Sequence, residues 1–106
     1  MKIELGISIQ QAGKEITLSR YVDLPFLPFV GMGLSIGELD IQDVTRVSCF
    51  IDTQEIYVEL EPIFTHDDES FMSWAGLAKE GWSINDVTPV ELGRKLYNDG
   101  YAFRSK

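Results

Sequence analysis

Ile3, Leu5, Ile7 and Ile9 alternate with Lys2, Glu4, Gly6, Ser8 and Gln10, the period of two that a strand shows when one face is buried and the other is wet. Residues 10–14 are polar and include Gly13, after which Ile16, Leu18, Val22 and Leu24 resume the alternation, with Arg20 interrupting it. The two runs predict a β-hairpin. Its second strand has to stop near Leu24, because Pro25 brings no amide hydrogen to a sheet ladder.

β-Branched and aromatic residues return over 44–51, and Asp52-Thr53-Gln54 separates them from Ile56, Val58 and Leu60. A second hairpin is expected here, with Tyr57, Glu59 and Glu61 on the solvent face of its later strand. Between the hairpins, residues 34–36 and 39–41 are candidates for short strands, weakened by the neighbouring glycines.

After Pro62 the period changes. Phe71, Trp74, Leu77 and Ala78 recur at spacings of three and four, led by Asp67-Asp68-Glu69, where a helix dipole favours negative charge, and followed by Gly81 as a stop. A second helix is expected over 89–99, with Thr88 as N-cap, Pro89 at the first helical position, Glu91 closing a capping box, Val87 and Leu92 as a hydrophobic staple, and Gly100 past the end. Residues 101–103 follow as a short extended tail.

Strands first and helices after predict an α+β fold. An antiparallel sheet or small, partly closed β-barrel of about four to six strands (1–64) would be followed by two C-terminal helices packed on it (65–106), the whole forming one domain. The 106 residues, 44% apolar and 25% charged, suit a single core that buries about two-thirds of the unfolded surface without disulfide or metal.

Charge narrows the partners. The chain carries 9 basic and 17 acidic residues, a net of -8, and all of the excess lies between Glu38 and Glu69, where ten acids stand against one base, Arg46. Such a field repels phosphate backbones and anionic headgroups, so neither nucleic acid nor a membrane is expected as partner. The longest uncharged run, 24–37, is broken by Pro25, Pro28 and three glycines and falls short of the ~20 apolar residues that span a bilayer. The chain opens Met1-Lys2-Ile3-Glu4, with an acid in place of the basic and apolar regions a signal peptide needs, and Cys49 has no second cysteine to pair with. A cytoplasmic location is the expectation.

Candidate chemistry is sparse. Gly33-Leu34-Ser35-Ile36-Gly37 matches the G-x-S-x-G nucleophile elbow, and Asp52 and His66 follow in hydrolase order. That elbow needs a strand running into a helix, whereas acids and β-prone residues follow Gly37, so a glycine-punctuated turn is expected instead. His66-Asp67-Asp68-Glu69 offers adjacent ligand types, but neighbours seldom converge on one ion, and zinc would want more His or Cys. No metal and no cofactor are therefore expected. Cys49 falls on the strand face of Val47 and Ile51, where a buried thiol would be inert. The second helix mixes Arg94 and Lys95 with Glu91 and Asp99 and lacks the stripe that phosphate contacts need.

What remains is the segment 24–32, nine residues without a charge or a hydrogen-bonding side chain. Either it folds back as a lid whose phenylalanines complete the core, or Phe26, Leu27, Phe29, Val30 and Met32 form a contact surface for a protein partner or a second copy in a homodimer. The leading expectation is a small acidic, non-enzymatic interaction or binding module. The alternative is a ligand receptor or enzyme with a carboxylate-lined site near the glycine-rich loop, for which Asp23, Asp40 and Asp43 are the first candidates.

Overall fold

The computed structural model describes residues 2–37 and 39–104. β1 (Lys2–Gln11) and β2 (Lys14–Asp23) make the expected hairpin. At its turn Gly13 takes φ +78°, the left-handed conformation that tight hairpin turns demand. β2 ends two residues ahead of Pro25, as the missing amide hydrogen requires. Five further strands follow: β3 (Gly33–Ile36), β4 (Leu39–Phe50), β5 (Glu55–Leu60), β6 (Ile63–Phe64) and β7 (Ser83–Thr88).

Hydrogen bonding orders them β3-β4-β5-β1-β2-β7, with β6 also beside β1. The β3–β4, β4–β5 and β2–β7 pairs are antiparallel, while β5 and β6 run parallel to β1. With its helices the chain is α+β, built on a mixed, mainly antiparallel sheet. Seven strands exceed the four to six expected. The additions are β6, only two residues long, and β7, which stands between the two helices. The region after residue 64 is therefore not purely helical.

The chain forms two compact units, and β1 and β2 each contribute to both. The first comprises Met1–Gly6 with Tyr21–Glu61. Its buried aliphatics are Ile3, Leu5, Leu39, Val44, Val58 and Leu60. Val44 faces Leu60 and Val47 faces Val58, which strict alternation would forbid. The register shift between Val44 and Arg46 makes it possible: Thr45 is the extra residue, and its hydroxyl donates to the Glu59 carbonyl at 3.2 Å.

The second unit comprises Ile7–Arg20 with Pro62–Lys106. Its helix α1 (Asp68–Ala75) opens on Asp67, whose carboxylate accepts the Ser70 amide at 2.7 Å. A 3-10 turn, Gly76–Lys79, extends the helical stretch toward Gly81, the expected stop. Phe71, Ala75, Leu77 and Ala78 from this helical stretch join Ile7, Ile9, Ile16, Leu18, Ile63, Trp82, Ile84 and Leu96 in the core. Thr65 donates its amide and hydroxyl to the Gln10 carbonyl at 2.8 and 3.1 Å, so this buried polar side chain is satisfied.

The start of the second helix differs from expectation. α2 runs Val90–Asn98, with Pro89 extended at the cap position and no side-chain cap bond. Thr88 cannot serve as the cap because it is the last residue of β7, paired with Glu15. The staple is displaced too: Val87 lies against Gly93, where a Cβ would sit 3.4 Å from it, and Leu92 is only half-buried while Leu96 is fully covered. The tail forms as expected. Ala102 accepts the Ile84 amide and Arg104 donates to the Ile84 carbonyl, both at 2.8 Å.

Candidate functional site

Two features of the first unit are suited to recognise another molecule. One is the apolar segment 24–32. Phe26 and Leu27 are 43% and 47% exposed, and Phe29 and Val30 61% and 63%. Met32 is half-buried and Pro28 buried. The phenylalanines therefore do not complete the core, and the lid is not what the chain builds.

The reason lies in the backbone. The Gly31 amide donates to the Val44 carbonyl and the Val44 amide to the Met32 carbonyl, both at 2.8 Å, while the Met32 amide closes a turn onto the Phe29 carbonyl at 3.0 Å. These bonds fix the end of the segment along β4 and leave Phe29 and Val30 at an uncovered tip.

The other feature is a cavity of about 270 Å³ lined from four strands, with Lys2 and Glu4 of β1, Tyr21 of β2, Phe50 of β4, and Glu55 and Tyr57 of β5 among its walls. The parallel register sets Glu4 opposite Tyr57, and the antiparallel one sets Phe50 opposite Glu55. Tyr57 does not stand in solvent as its alternation suggested. It lies over Gly6, where a Cβ would collide with its ring and hydroxyl, and it is half-buried. The Lys2 ammonium sits 4.7 Å from the centre of the Tyr21 ring, within cation–π range.

The residues considered for chemistry are dispersed. Ser35 lies on β3, in an antiparallel pair with no helix after it, and its hydroxyl donates to the Leu39 carbonyl at 2.8 Å. Asp52 is exposed in the β4–β5 connection, and His66 belongs to the other unit, exposed just ahead of the α1 cap. Cys49 shares a strand face with Val47 as expected, but it is exposed rather than buried. That part of the hairpin reaches past the covered core: opposite Cys49, Ile56 is already only half-buried. Asp23, Asp40 and Asp43 are exposed, and none of them lines the cavity, whose carboxylates are Glu4 and Glu55.

The acidic run is occupied by local structure. Asp67 caps α1, and Asp68 accepts from Lys14 at 2.6 Å and from Gln11 at 2.9 Å. These two donors, with the lysine's charge, hold the Asp68 carboxyl below its ordinary range. Among the described residues, no group of three or more His, Cys, Asp or Glu is placed to hold a metal ion, and no helix is long and apolar enough to cross a membrane.

No protein-family model, curated protein sequence or solved structure matches this chain.

Proposed function

We propose that this chain is a small acidic interaction module of the cytoplasm that works by contact rather than catalysis, and that it self-associates as a homodimer through Phe26, Leu27, Phe29, Val30 and Met32. The observation that carries this reading is the exposure of four large apolar side chains in a segment whose end is bonded to β4. Leaving such a cluster in water is unfavourable by ~25 cal/mol for each Å² of apolar surface, and covering it with a like surface removes that cost. Pro25 and Pro28 limit the freedom of the segment, so less entropy is lost when a partner orders it. Aromatic residues and methionine are also the types enriched at contact cores.

The net charge of -8 works against promiscuous adhesion, since two copies repel wherever apolar contact does not offset the repulsion. It also disfavours nucleic acid and anionic membranes as partners.

The test is Phe26→Ser with Phe29→Ser in one chain, followed by light scattering and circular dichroism. The expected result is a folded monomer from a parent that self-associates. A parent that stays monomeric at all accessible concentrations overturns the homodimer, and a doubly substituted chain that still dimerises removes the segment from the interface.

A further inference from the structure

Among the described residues, three aromatic side chains and two carboxylates converge on the cavity of the first unit, together with the Lys2 ammonium. We propose that this cavity is a binding site for an organic ammonium group, either the side-chain amine of a lysine in a partner or a small free amine.

Lys2 shows what the walls accept, because its ammonium rests on the Tyr21 ring at 4.7 Å, where the negative face of the π-system attracts a cation. Among the described residues of the lining Glu4 and Glu55 outnumber Lys2, and the acidic field of the whole chain adds to their charge. Phe50 and Tyr57 supply further apolar wall for the alkyl part of such a ligand.

The size agrees with this class. At about 270 Å³ the space lies below the ~300–1,000 Å³ typical of drug-sized ligands, which suits an alkylammonium head and short stem. The site is also built into the strands. Gly6 sits in the middle of the most regular strand of the chain, and the absence of a side chain there is what lets Tyr57 lie across β1. None of these residues belongs to the segment 24–32, so the proposal stands apart from self-association.

The experiment is an amide NMR titration of the intact chain with butylammonium, choline and acetate. Both cations are expected to shift residues 2–4 and 53–57 saturably within the tens of millimolar, and acetate is not. Glu55→Gln and Tyr21→Leu, at exposed positions, should each weaken the cations by about threefold or more, the scale of one exposed cation–π or charge contact.

Lys2→Gln gives a test of sign. Removing the resident ammonium should tighten both cations. If Lys2→Gln weakens them, the resident ammonium does not compete for the site, and if acetate binds the parent and is lost in this variant, the cavity is an anion site; either outcome overturns the proposal. Absence of saturable shifts with both cations overturns it equally. A lysine-containing peptide that binds more tightly than butylammonium identifies a protein side chain as the natural occupant, and one that binds no better identifies a free amine.

Discussion

Ile3 and Leu5 are as fully buried as Ile7 and Ile9, yet the two halves of β1 to which they belong serve units of different make. The second unit buries twelve apolar side chains, among them Phe71 and Trp82, the largest in the core, whereas the first buries six, all aliphatic. Exposure runs the other way. Tyr21, Phe26, Leu27, Phe29, Val30, Ile41, Phe50 and Ile51 of the first unit are exposed, against Phe64, Val90 and Tyr97 of the second. Buried side chains contribute ~1.5–3 kcal/mol each, so stability is concentrated where the surface is quiet, and contact capacity where the core is thin.

The strongest way to break this comparison is to cut the large side chains of the second unit. Trp82→Ala and Phe71→Ala should each cost ~3–5 kcal/mol of a total near 5–15, and urea midpoints close to the parent's would remove the asymmetry. Leu96→Ala should follow at ~2–5 kcal/mol, with Leu92→Ala distinctly milder because Leu92 is only half-buried.

Next come the helix starts. Asp67→Ala should cost ~1 kcal/mol, since its carboxylate caps Ser70, whereas Thr88→Ala should stay within ~0.5. A larger effect at Thr88 than at Asp67 would reverse the assignment of caps. No larger is the stability effect of the paired Phe26→Ser and Phe29→Ser changes, which should stay within ~0.5 kcal/mol per exposed site in the dilute monomer. Their large effect should appear in molecular mass alone.

Smallest of all is the contact between Lys14 and Asp68. Because the folded carboxyl titrates below its unfolded value, the contact stabilises above the ordinary carboxylate range and fades as pH falls through the folded pKa. Asp68→Asn should therefore flatten the acid limb of the stability profile slightly. A limb identical to the parent's would show that solvent screens the pair completely.

Much of the fold can be read from local pattern. β1 and β2 follow from alternation and a proline, and α1 from its acidic start and three-four spacing. β7 escapes because the register shifts between Thr17 and Leu18, where Asn85 has no partner in the ladder. Ile84 and Val87 then fall three apart instead of two. The contact segment stands out by composition, but whether it is covered depends on backbone bonds to Val44 that no side chain reports.

The cavity is the least legible part. Lys2, Tyr21, Phe50 and Tyr57 meet only because β5 runs parallel beside β1, a pairing between distant strands with no local signature. Two signals do point to it: a glycine inside the most regular strand, and a tyrosine on a face otherwise made of glutamates.

The tail that lies along β7 bears on how assembly stops. Unpaired backbone at a sheet edge is a template on which identical strands can add without limit, which is how fibres grow. Here the strand order ends on one side in β3, only four residues long, and on the other in β7, where the amide and carbonyl of Ile84 are already taken by Ala102 and Arg104. Under the proposed self-association, recognition would then fall to side chains instead of backbone. An isologous pair formed through one side-chain patch uses that patch up and closes, leaving nothing for a third copy to extend.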